Sequence, residues 1–120
     1  MQQSADGSPP DAGDVLWIDF GTPVGREQGG RRPALVLTSR DYNSVSSIML
    51  VSPITRTWRD WPFHVALKAS DPVDGYVIAD QVRVIDPAVR RLRRAGKASD
   101  GTLDAVRAIL ASLIGIPVAD

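Results

Sequence analysis

Short apolar stretches alternate with turn signals along most of this chain, which is the rhythm of an all-β fold. Residues 15–20 (VLWIDF) are rich in β-branched and aromatic types and stop at Gly21-Thr22-Pro23. Residues 34–38 form a nearly continuous apolar run after Pro33, as in a strand buried on both faces. Residues 48–51 end at Ser52-Pro53, residues 64–67 alternate as an exposed strand does, and residues 76–79 continue into 81–84. The intervals are too short for crossover helices, so the pattern predicts antiparallel pairing. After Ser99 the period changes. Leu103, Val106, Ile109, Leu110 and Leu113 mark one helical face, with Ser99 as N-cap, Asp100 in the first turn, Gly115 at the C′ position and Pro117 beyond. The expected architecture is mainly β: a small, strongly twisted antiparallel sheet or partly open barrel with a C-terminal α-helix.

Residues 1–12 (MQQSADGSPPDA) are small, polar and rich in Pro and Gly, and read as a flexible arm. Residues 13–118 are expected to form a single domain, which suits a chain of 120 residues. No apolar run approaches the roughly 18 residues needed to span a bilayer, and the N-terminus has no signal-peptide pattern. A cytoplasmic protein is therefore expected.

Residue inventory narrows the chemistry. With no Cys, disulfides, zinc ribbons, Cys nucleophiles and iron–sulfur clusters are excluded. One His, His64, excludes multi-His metal sites within the chain and a nuclease built on a pair of histidines. Catalysis must draw on Asp, Arg, Thr, Ser, Lys, Tyr or His64. His64 itself reads as an exposed strand residue without a role.

The net charge of zero conceals segmentation. Residues 1–20 hold four acids and no base. Residues 83–97 hold Arg83, Arg90, Arg91, Arg93, Arg94 and Lys97 against Asp86 alone. Twelve of the fourteen bases are Arg, the better residue for gripping phosphate.

Three loop features carry candidate chemistry. Residues 21–32 (GTPVGREQGGRR) put four glycines and three arginines between two strands, suited to close backbone approach and bidentate phosphate contact. The bland alternative is a solvated hairpin whose arginines pair with Asp or Glu. Arg32 precedes Pro33, which holds it extended at the foot of a strand, a good place to aim a guanidinium. Thr55 ends the third strand, either capping a turn or aiming its hydroxyl at a phosphate. Arg56, Trp58, Arg59 and Trp61 then interleave bases with aromatics, as single-stranded nucleic acid favours; a core edge or protein interface is the alternative. Asp80, Gln81 and Arg83 form a polar trio within an apolar strand pair, and such groups need partners.

The run GDVLWIDFGTPVGREQGGRRPALVLT, followed by SPIT and ADQVRVID, resembles the MazF/PemK (Kid) toxins of type II toxin–antitoxin systems. The motif at Glu27-Gln28-Gly29-Gly30-Arg31-Arg32-Pro33-Ala34-Leu35-Val36 is quite specific, and the resemblance covers roughly residues 13–115. It implies an SH3-like antiparallel barrel with a C-terminal helix, usually a homodimer. It implies a sequence-specific, metal-independent and cofactor-free endoribonuclease that cuts single-stranded RNA and arrests translation. The 2′-OH would attack, leaving 2′,3′-cyclic phosphate and 5′-OH ends. It also implies a cognate MazE-like antitoxin with an acidic tail. The family's catalytic Arg falls on Arg32 and its catalytic Thr on Thr55. Asp80 matches a base used by some members, which also carry an Arg where this chain has Ile78. Candidate RNA contacts are Glu27, Gln28, Arg31, Arg56, Trp58, Arg59, Gln81 and Arg83. Two other readings remain: a CcdB-type toxin of the same fold that poisons DNA gyrase, and a non-catalytic RNA- or peptide-binding barrel.

Overall fold

A computed structural model describes residues 8–22, 25–26 and 29–117. In chain order the elements are β1 (Asp14–Asp19), β2 (Arg31–Val36), α1 (Arg40–Val45), β3 (Met49–Thr55), β4 (His64–Ala66), β5 (Tyr76–Ile78), β6 (Arg83–Ile85), β7 (Leu92–Lys97) and α2 (Asp100–Leu113). The seven strands form one antiparallel sheet in the order β4-β5-β3-β2-β1-β7, and β6 also pairs with β3. The path runs from β4 to β7 without closing among the described residues. The expected barrel is therefore an open one.

Alternation along the central strands builds two apolar layers. Val15, Leu35, Ile54 and Val77 pack with Leu103 and Val106 of α2. Leu16, Ile18, Ala34, Val36, Met49, Val51 and Ile85 form the second cluster on the opposite side. Both layers follow from the two-residue period of the strands, which sends neighbours such as Val15 and Leu16 to opposite faces. The last turn of α2 overhangs the sheet, since Leu113 is exposed although it lies on the predicted apolar face. That helix begins with the Ser99 side chain accepting from the Thr102 N–H. It ends with Gly115 at φ +78°, Ile116 N–H donating to Ala111 C=O at 2.7 Å, and Gly115 N–H to Ser112 C=O at 3.3 Å. These two bonds satisfy carbonyls that a helix end would leave orphaned. No helix among the described residues is long and apolar enough to cross a membrane.

The structure departs from the sequence reading in four places. The run expected over 76–84 is two strands, separated by a turn at Ala79-Asp80. The cause lies opposite, in β3. Leu50 C=O accepts from Leu37 N–H, so the backbone groups of odd-numbered Met49, Val51, Pro53 and Thr55 face the edge carrying β5 and β6. Pro53 has no N–H to offer on that edge, and the ladder breaks there. Strand β7 lacked an apolar alternation; only Leu92 is buried in it, and its pairing with β1 is what makes it a strand. The six-residue helix α1 buries no side chain and so leaves no periodic signal. Finally, contacts begin before Gly13: Arg40 donates to Pro9 C=O (3.0 Å) and to the Asp11 carboxylate, and Asn43 donates to Pro10 C=O (2.8 Å).

Candidate functional site

Pro33 makes the foot of β2 extended, and β2 pairs with β3 in the register Ala34↔Pro53, Leu35↔Ser52, Val36↔Val51. Beyond the last pair of this ladder, Arg32 lies near the start of β2 and Thr55 at the end of β3. Arg32 and Thr55 line two adjoining clefts, of about 530 and 820 Å³, and so sit at their junction.

Arg32 is half-buried, and its Nε–H donates to Gly29 C=O at 2.9 Å. That bond orients the guanidinium fork. No carboxylate among the described residues pairs with it. Burial pushes its pKa down from the ordinary arginine value, because desolvation penalises the charged form. An unpaired, partly desolvated cation is a poor stabiliser of a fold and a good binder of an anion. Thr55 is buried, and its Oγ1 accepts from the Thr57 N–H at 3.2 Å. Among the described residues that hydroxyl donates to no acceptor. Gly75, at φ +127°, packs so closely on Thr55 that a Cβ there would overlap the Thr55 carbonyl oxygen.

The smaller cleft also holds Trp17, Arg31, Arg56 and Asp74. Arg31 lies over the Trp17 ring with its Cζ 5.7 Å from the centroid. The larger cleft is lined by three arginines (Arg26, Arg32, Arg59) and two aspartates (Asp60, Asp80), with Trp61, His64 and Gln81. Asp80 is exposed and accepts from the Trp61 indole Nε1–H at 2.9 Å. Gln81 donates to Arg26 C=O at 3.2 Å and so ties the arginine-rich loop to the cleft wall.

Most of the residues singled out in the sequence therefore converge. Arg31, Arg32, Thr55, Arg56, Arg59, Asp80 and Gln81 line one cleft or the other. Trp58 lies beside them in a shallow depression shared with Trp61 and Tyr76. Arg83 does not join them: it lies over the Phe20 ring, 5.1 Å from the centroid, and lines neither cleft. Glu27 and Gln28 lie outside the described residues.

Trp17, Thr57, Asp60, His64 and Asp74 line the clefts without having been singled out as site residues in the sequence. Thr57 lines both clefts. His64, expected to be an exposed strand residue, is half-buried in the wall of the larger cleft, and its Nδ1 is buried without a partner among the described residues. The available signal was its place at the head of a short strand directly after Trp61-Pro62-Phe63.

Residues 11–114 match the family model described as PemK-like, MazF-like toxin of type II toxin–antitoxin system. The chain is 37% identical over 106 residues to the endoribonuclease toxin MazF of Escherichia coli K12, covering 88% of this chain and 95% of that protein. A crystal structure of MazF from Deinococcus radiodurans matches with TM-score 0.82 and 43% identity, over 88% of this chain and 96% of that one. A MazE–MazF complex from the same organism matches with TM-score 0.79 and 42% identity, over 90% and 97%.

Proposed function

The chain belongs to the PemK-like, MazF-like family of type II toxins, and on that premise we propose that it is an endoribonuclease whose reaction centre is the Arg32–Thr55 pair. The observation that carries this reading is the placement of these two residues together at the junction of two arginine-lined clefts.

RNA brings its own nucleophile, the 2′-OH beside the scissile phosphate. In this reading the 2′-oxygen bonds to phosphorus as the P–O5′ bond breaks. The 2′ proton leaves to solvent, the 5′-oxygen takes up a proton, and the products are a 2′,3′-cyclic phosphate and a 5′-OH. The protein's task is orientation and stabilisation of the charge gathering on the phosphoryl oxygens. The Arg32 fork, already aimed by Gly29, supplies the cation. The Thr55 hydroxyl, its oxygen engaged by Thr57, donates to a non-bridging oxygen. Arg31, Arg56 and Arg59 line the path of the strand and contact its phosphates. The RNA is single-stranded, because an A-form duplex would not expose its bases to a cleft of this size.

Relatives are solved as a MazE–MazF complex and as an endoribonuclease in complex with its cognate antitoxin, and in this reading the partner is likewise a cognate antitoxin. The active form is a homodimer acting in the cytoplasm, and its consequence is arrest of translation. The test is direct. Purified protein incubated with a long RNA is expected to give discrete fragments with cyclic-phosphate and 5′-OH ends. A single deoxyribose at the mapped cut site is expected to abolish that cut. Persistent cutting there overturns the 2′-OH route, and binding without fragments overturns the enzyme reading.

A further inference from the structure

Trp61 is an exposed aromatic residue that nonetheless cannot move freely. Its backbone N–H donates to Arg59 C=O (2.9 Å) and its C=O accepts from His64 N–H (3.1 Å). Pro62 follows it and restricts its backbone. Its indole Nε1–H donates to Asp80 at 2.9 Å, and Phe63 meets its ring edge-on, with centroids 5.2 Å apart at 80°. The ring is still 47% exposed and lines both the larger cleft and the shallow depression beside it. Trp58, three residues away and 65% exposed, has no side-chain hydrogen bond or ring contact among the described residues.

An indole whose polar edge is satisfied offers only its π-face to a ligand. Fixing the ring beforehand removes the rotamer entropy that a mobile side chain loses on binding. Arg59 lines the same cleft and can take the phosphate next to a stacked base. The carboxylate doing the fixing is Asp80, with one oxygen committed to the indole.

We infer that Trp61 is a preset stacking platform for one nucleobase near the cut, and that Asp80 is a positioning residue that holds this platform rather than a group that moves a proton. The inference rests on the ribonuclease reading, for which it names the base-recognition element.

The test uses an oligonucleotide spanning the mapped cut site, made uncleavable by deoxyribose at that site. Each other position is replaced in turn by an abasic nucleotide. In the wild type, one abasic position is expected to weaken binding about tenfold. In Trp61→Ala the same position loses its effect, and the intact oligonucleotide binds about tenfold more weakly. Asp80→Ala behaves as Trp61→Ala does. Asp80→Asn keeps an oxygen that can accept from the indole, and restores both the binding and the positional dependence, with kcat on cleavable RNA within about threefold of wild type. Trp61→Phe, which keeps an aromatic face without the N–H, lies between. Thermal melting of each variant separates loss of fold from loss of stacking. Identical abasic profiles for wild type and a folded Trp61→Ala overturn the platform. A hundredfold loss of kcat in Asp80→Asn with binding unchanged overturns the positioning role. Wild-type cutting at mapped sites with no abasic position weakening binding overturns the platform and leaves the nuclease reading standing. Failure of the wild type to cut any RNA overturns the nuclease reading, and the same abasic scan on a single-stranded oligonucleotide that it binds then tests the platform alone.

Discussion

Arg32, near the start of β2, and Thr55, at the end of β3, line the same two clefts and stand together at their junction. Strands hold both residues there more firmly than loops would, as the proposed phosphate chemistry requires.

Arg32→Met tests the division between activity and stability. The guanidinium is half-buried, without a carboxylate partner among the described residues, and its pKa is depressed by burial. The folded state thus disfavours the charge, and removing it is expected to cost no more than the bond to Gly29 C=O, about 1 kcal/mol. Cleavage is expected to fall at least tenfold, in line with loss of one transition-state contact, while Tm stays within a few degrees of wild type. Single-turnover kinetics and a thermal melt on one preparation check both halves.

Gly75→Ala acts on Thr55 from behind. The alanine Cβ meets the Thr55 carbonyl and demands a left-handed backbone, so the end of β3 must shift. Stability is expected to fall by about 2 kcal/mol or more, and kcat to fall even in the fraction that remains folded. Unchanged kcat per folded molecule would show that Thr55 tolerates displacement.

Asp71 contributes to the stability of the fold toward acid. Burial alone would raise its pKa. That effect is outweighed by bonds from Lys68 N–H (2.7 Å), Ser99 N–H (2.8 Å) and Thr102 Oγ1–H (2.9 Å), which hold the carboxyl below its ordinary 3.8. A lowered folded pKa contributes stability above the unfolded value and loses it as pH falls through the folded one. Asp71→Ala is expected to cost about 3 kcal/mol near pH 7. Its deficit against wild type should shrink once pH drops below about 4. Denaturation curves from pH 3 to 7 read this out, and a deficit independent of pH counts against the carboxylate.

Ser52 is fully buried in β3, and its Oγ has no partner among the described residues. Ser52→Ala removes an unsatisfied hydroxyl without disturbing the ladder. Stability is expected to rise by about 1 kcal/mol, measured by denaturant unfolding, with cleavage unchanged.

The strands were legible because local alternation makes them, and α2 because its cap, apolar stripe and terminal Gly115 agree. Arg32 was legible because Pro33 constrains it. What local pattern did not contain is pairing. Strand β7 exists because β1 needs a partner. The meeting of Arg32 and Thr55 in shared clefts depends on the pairing of β2 with β3, between residues far apart in sequence. Asp80 reads as one of a polar trio that needs partners, but its partner, Trp61, lies nineteen positions away on another loop. His64 was dismissed because half-burial of an alternating strand depends on which loop covers it.

Pro53 interrupts one edge of β3 where β5 gives way to β6, and the turn it forces carries Asp80 to the cleft. The segments 56–63 and 79–82 thus hang from the sheet without supplying its central rungs. They can change while the strands that carry Arg32 and Thr55 stay put. Under the proposed ribonuclease reading, a scaffold of this kind is retargeted to new RNA sequences by changing those loops alone.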